Sequence, residues 1–220
     1  MKFYDINTDF GRRKNFAYGI TYNRDLMLRI NCDKCGSKRY ETFSDDESVK
    51  QTFMLTNNFF SDFMRTDLQR IILPRVNEIF TKEKISGYHI CDNLEIITLD
   101  QIPEEKKKEL RRRGYDVKRF SNEAPECYRF CVDGKAELHD KSEIITVSVC
   151  DKCSYVTRRT KDRPYVDPDH PLYITKSSWD GSDFFREKGS ENRIFCTERV
   201  VEVFEKYKLT GLEFTEVEGL

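Results

Sequence analysis

The stretch Arg193 to Phe214, RIFCTERVVEVFEKYKLTGLEF, decides how this chain is read, because Arg70 to Ile90, RIILPRVNEIFTKEKISGYHI, says nearly the same thing earlier. Aligned without gaps at an offset of 124 residues, Arg75 matches Arg199, Val76 matches Val200, Glu78 matches Glu202 and Phe80 matches Phe204. Lys82, Lys84 and Gly87 likewise meet Lys206, Lys208 and Gly211. In the later copy Thr197 is placed to cap a helix and Glu198 suits its first turn. Val200, Val203, Phe204 and Tyr207 share one apolar face, and Gly211 provides a stop. In the earlier copy Pro74 stands opposite Glu198, at the first helical position, where a missing N–H costs nothing.

The correspondence continues upstream. SDFMR at Ser61 to Arg65 answers SDFFR at Ser182 to Arg186 at an offset of 121, and CDKC at Cys32 answers CDKC at Cys150 at an offset of 118. Each step needs only a three-residue insertion, which loops absorb. The fold class expected is α+β, built from two related α/β repeats with a pair of zinc knuckles joining the halves. Residues 1–95 form the first repeat, 96–149 a connecting helix and β-hairpin, and 150–220 the second repeat, all within one compact domain. In the connection, Pro103 to Arg113 reads as a helix stopped by Gly114, followed by a strand near Tyr115 to Phe120. Strands then flank Asp133-Gly134 as a hairpin turn. KFYDI and LMLRIN are further strands, and both knuckles follow a strand.

Two thiolates of a CxxC turn reach one ion, and two such turns complete a tetrahedron around zinc. Cys32, Cys35, Cys150 and Cys153 are therefore the candidate ligands of one structural zinc, with disulfides or free thiols as the alternatives. A site with four cysteine ligands is closed to water, so it would staple the halves and catalyse nothing. Cys91, Cys127, Cys131 and Cys196 sit in apolar or strand-like surroundings and read as ordinary buried thiols. Pairing Cys131 with His139 as nucleophile and base has no motif behind it, no glycine-rich phosphate loop is present, and no catalytic residue is assigned.

Lys plus Arg total 38 and Asp plus Glu 39, a net charge of -1, which provides no overall field for nucleic acid or an anionic membrane. No apolar run reaches the roughly 18 residues of a membrane span, and the opening residues lack the apolar core of a signal peptide, so a cytoplasmic protein is expected. The basic run of Lys106, Lys107, Lys108, Arg111, Arg112 and Arg113 is tempered by Glu104, Glu105 and Glu109 and reads as a solvated helix face. As a phosphate-binding helix it would support the rival reading, a zinc-containing nucleic-acid-binding regulator.

With these parts in order, the chain resembles the double-CxxCG motif family, immunity proteins of swarming-inhibition and related polymorphic-toxin pairs. The likeness spans an MKFY opening strand, the early CxxCG, the second CxxC near residue 150, WDGSDFFR and TERVVEVFEKYKLTGLEF. Ser154 departs from the pattern, standing where a glycine would permit positive φ. The resemblance implies a non-enzymatic antitoxin that occludes the C-terminal domain of a cognate toxin, as a monomer or in a 1:1 complex. Asp45, Asp46 and Glu47 are candidate contacts for a basic toxin, and Trp179 is a candidate anchor.

Overall fold

The computed structural model describes residues 1–8, 16–23, 29–40, 50–67, 69–92, 94–167, 170–188 and 193–220. The fold is α+β, with strands dominating. A closed six-stranded barrel is formed by β1 (Phe3–Thr8), β16 (Ile194–Thr197), β15 (Phe184–Glu187), β11 (Gly134–Leu138), β14 (Tyr173–Thr175) and β17 (Leu212–Gly219), in that order. A four-stranded sheet runs β6 (Phe63–Arg65), β7 (Arg70–Ile72), β10 (Tyr128–Val132), β8 (Tyr88–Cys91). Beside it lies a three-stranded sheet of β2 (Gly19–Thr21), β5 (Gln51–Leu55) and β9 (Leu94–Ile97), joined through a Gly19–Thr66 bridge.

The two larger assemblies share one pattern. Strand β1 lies antiparallel between β16 and β17 just as β10 lies between β7 and β8. Tyr4 opposes Cys196 where Tyr128 opposes Ile72, and Ile6 opposes Phe214 where Phe130 opposes Ile90. Each of these residues maps onto its counterpart through the same offset of 124. The middle strand of each sheet therefore comes from the other half of the sequence. The strand at the start of the chain completes the C-terminal sheet, and β10 completes the N-terminal one.

Helix α1 (Pro74–Lys82) connects β7 to β8, and α3 (Glu198–Tyr207) connects β16 to β17. Their apolar faces meet in a central core where Val76, Phe80, Val200, Val203 and Phe204 pack with Phe63, Phe130 and Phe184. Phe130 stands at 5.1 Å from Phe63 and 5.0 Å from Phe184, both edge to face. Each fully buried ring contributes about 2–3 kcal/mol by removal from water, so this cluster outweighs any surface ion pair. Smaller cores fill the barrel (Phe3, Phe185, Phe195) and the space under the N-terminal sheets (Phe53, Met64, Ile71). A third helix, α2 (Glu104–Arg112), buries Leu110 against Ile20, Met54 and Phe120.

Pro74 opens α1 and Thr197 stands at the N-cap position of α3 as expected, but four other expectations change. Thr197 makes no side-chain cap; its hydroxyl donates to Asp183 instead. The helices do not stop at glycine: Lys84 and Lys208 take the left-handed conformation just past the last turns. Gly87 and Gly211 serve close approach, since an added Cβ would lie 2.1 Å from the Phe184 carbonyl oxygen and 1.9 Å from that of Phe63. Asp133-Gly134 is no hairpin either, because β10 pairs with β7 and β8 whereas β11 pairs with β14 and β15. The dipeptide passes the chain from one sheet to the next. The expected strand at Tyr115 to Phe120 is a short 3-10 turn, Val117–Arg119, with Val117 and Phe120 buried.

Candidate metal centre

Each CDKC sits at the tip of a two-stranded hairpin. The first joins β3 (Arg29–Asn31) to β4 (Lys38–Tyr40), and the second joins β12 (Ile144–Val149) to β13 (Val156–Thr160). In the first turn Cys32 N–H donates to the Ser37 carbonyl and Gly36 N–H to the Cys32 carbonyl. In the second, Cys150 N–H donates to Tyr155 and Ser154 N–H to Cys150. Gly36 has φ +71° and Ser154 φ +56°, so the serine adopts the left-handed turn that glycine adopts in the first knuckle.

The two tips face each other. Cys32 Sγ lies 3.7 Å from Cys150 Sγ, Cys35 Sγ lies 3.6 Å from Cys153 Sγ, and all four sulfurs fall within 4.8 Å of one another. A tetrahedron of sulfurs at the Zn–S distance of about 2.3 Å has edges of about 3.8 Å, whereas a disulfide requires roughly 2.05 Å. The spacing fits a shared metal ion and not a bond. The four cysteines expected from the sequence are thus brought together, and they can hold a metal such as zinc. Reciprocal ion pairs flank them: Lys34 to Asp151 and Lys152 to Asp33, each 2.7 Å. Exposed pairs of this kind add about 0–1 kcal/mol, so they set the mutual register of the tips more than their stability.

The Ser37 backbone N–H lowers the Cys35 thiol to about 6, so this sulfur is an anion near neutrality. At Cys153 the Tyr155 backbone N–H acts in the same direction, but desolvation and the neighbouring thiols prevail and hold it up to about 11. Four sulfurs cannot all ionise side by side without a cation among them. A divalent ion resolves that conflict.

Elsewhere the thiols divide. Burial pushes Cys127 up to about 12 and Cys196 well above its ordinary value, as expected of inert core residues. Cys91 and Cys131 are only half-buried and stand beside His89. His139, given no catalytic role in the sequence, accepts the Lys141 N–H at 3.2 Å and caps a 3-10 turn. Trp179, the candidate anchor, donates its indole N–H to the Ser182 carbonyl, packs edge-on to Phe3 at 5.2 Å and stays partly exposed at the edge of the barrel core. Asp45, Asp46 and Glu47 lie outside the described residues.

The sequence motif whose role was missed is SDF. Asp62 accepts from the Thr210 N–H and hydroxyl and pairs with Arg75, while Asp183 accepts from the Ser86 N–H and hydroxyl and pairs with Arg199. Each aspartate clasps the loop that follows the other half's helix. The recurrence of Ser-Asp-Phe was visible, but its reciprocal partners were not. No helix among the described residues is long and apolar enough to cross a membrane. No protein-family model matches the chain, and no curated protein does.

Proposed function

We propose that this protein is a non-catalytic immunity protein, which neutralises a cognate toxin by occluding it on a metal-stapled scaffold. The observation that carries the reading is the closed set of four cysteines at the meeting point of two hairpins. Four thiolates leave a zinc ion no position for water, so the centre is a fastening and activity has to reside in the surfaces it holds. The resemblance to double-CxxCG immunity proteins supplies the rest of the proposal, including action in the cytoplasm of the producing cell and a 1:1 complex. The identical registers of the two sheets further support an origin by duplication, with the two copies exchanging their first strands.

A surface suited to a protein partner is present on the second hairpin. Among the described residues, strand β12 pairs only with β13, and Ile145, Val147 and Val149 are exposed with Tyr155 near the tip. Exposed apolar side chains on an open strand edge are a standard substrate for protein contact. The rival reading, nucleic-acid binding through α2, has less to recommend it. Lys106 pairs with Glu109, Lys107 with Glu104 and Arg113 with Glu109, so much of that helix's charge is spent internally. Co-expression with the C-terminal domain encoded by the adjacent gene tests the proposal: rescue of growth and a co-purifying complex are expected. Failure of both rejects it, and salt-dependent binding to RNA or DNA abolished by charge reversal of α2 would favour the rival.

A further inference from the structure

On the face of the N-terminal sheet that carries His89, three ligand-type side chains outside the knuckles converge. Cys131 on β10 lies directly opposite His89 on β8, and Cys91 follows His89 by two residues on the same face. A ring nitrogen of His89 and the sulfurs of Cys91 and Cys131 all lie within 4.8 Å of one another. We propose that His89, Cys91 and Cys131 form a second zinc site, separate from the four-cysteine centre, with three protein ligands and a fourth position open to solvent.

Two features around the cluster prepare its donors for a metal ion. His89 Nδ1 lies 2.8 Å from the Asp133 carboxylate, the arrangement in which a carboxylate fixes the tautomer and leaves Nε2 with its lone pair for a metal. Arg129 is only 3% exposed, its Nε has no hydrogen-bond partner, and its Nη2 donates to Cys91 Sγ at 3.1 Å. Among the described residues no carboxylate forms an ion pair with Arg129. A buried guanidinium is paired or hydrogen-bonded, and here the acceptor it reaches is the Cys91 sulfur. The Arg129 guanidinium at this distance favours the thiolate form of Cys91, the form that ligates a metal.

The architecture does not demand these residues. At the corresponding positions of the C-terminal sheet stand Glu213, Thr215, Asp5 and Asn7 for His89, Cys91, Arg129 and Cys131. The thiols and imidazole are therefore a property of one half. The knuckle centre is closed by four sulfurs, whereas this site takes three donors, and its partial exposure makes the fourth position reachable by water or by a donor from a bound molecule.

Elemental analysis of the full chain loaded with excess zinc and desalted is the direct test. Two zinc ions per chain are expected in the wild type and one in Cys91→Ser or His89→Ala, with Asp133→Asn weakening the second ion about 10- to 100-fold. A single zinc that persists unchanged in Cys91→Ser overturns the proposal. A single zinc that Cys91→Ser abolishes supports this site and removes the four-cysteine one. Should the variants fail to fold, cysteine-resolved alkylation of the wild type decides: zinc is expected to protect Cys91 and Cys131 along with the four knuckle cysteines, and no protection of that pair rejects the site.

Discussion

Asp183 shows how much one side chain can carry. Its carboxylate accepts hydrogen bonds from the Ser86 backbone and hydroxyl, the Thr197 hydroxyl and Arg199, all on an almost fully buried group. Asp183→Ala leaves several donors unanswered, each costing about 1–3 kcal/mol, so a loss of about 3–5 kcal/mol is expected in urea unfolding. Gly211→Ala is expected to be similarly damaging: the residue has φ +100° and no space between its Cα and the Phe63 carbonyl. A loss below about 1 kcal/mol would show that the strand shifts to make room. Thiol chemistry separates the cysteines on the same scale. At pH 8 and without metal, Cys35 is expected to alkylate within minutes while Cys127 and Cys196 stay unmodified, as peptide mass mapping would report.

At the scale of elements, the two hairpins and the two helices are the paired parts. Cys150→Ser removes one of the four sulfurs that can hold a metal ion, and chelation tests the same centre by stripping any ion bound there. Both are expected to lower Tm by several degrees and, with the tips parted, to admit proteolysis at the hairpins. An unchanged Tm after complete metal removal would mean that the core alone holds the halves. The helices are linked by Glu83, which accepts from Lys206 and from the Tyr207 hydroxyl, and these bonds lower its carboxyl pKa below the ordinary value. A depressed acid stabilises the fold above its unfolded pKa, and that contribution is lost as pH falls through the folded one. Glu83→Gln is therefore expected to lower Tm at pH 7 and to converge with the wild type in acid. Parallel Tm curves from pH 7 to pH 3 would contradict the assignment.

For the whole molecule the decisive feature is that β1 lies between β16 and β17, and β10 between β7 and β8, each far away in sequence. Cutting in the exposed segment near Glu123 and Ala124 separates the two sequence copies, yet each fragment then lacks its middle strand, which the other carries. Neither fragment is expected to show native circular dichroism alone, whereas the two co-expressed should associate and co-purify. A folded isolated fragment would argue that each half can close on itself. Residues 1–8 follow the same logic: their removal strips β1 from between β16 and β17 and should unfold the barrel.

The chain order of the parts, the helices with Pro74 and Glu198 at their starts, and the four cysteines of the candidate centre were legible in the sequence, because propensity, capping and ligand spacing are local. That CDKC meets CDKC was expected from the ligand set, but how it does so was not, since 114 residues separate Cys35 from Cys150 and the packed core sets where two hairpin tips end up. Asp133-Gly134 reads as a hairpin because turn chemistry specifies a bend and says nothing about the strand that will be found beside it. Gly87 and Gly211 read as helix stops for the same reason, when the carbonyl that excludes a side chain there comes from the other half. The grouping of His89 and Cys91 with Cys131 depends on cross-strand register, which the sequence leaves open until β8 and β10 pair. Local chemistry thus wrote the parts and their repetition, and long-range packing decided which part of one copy completes the other.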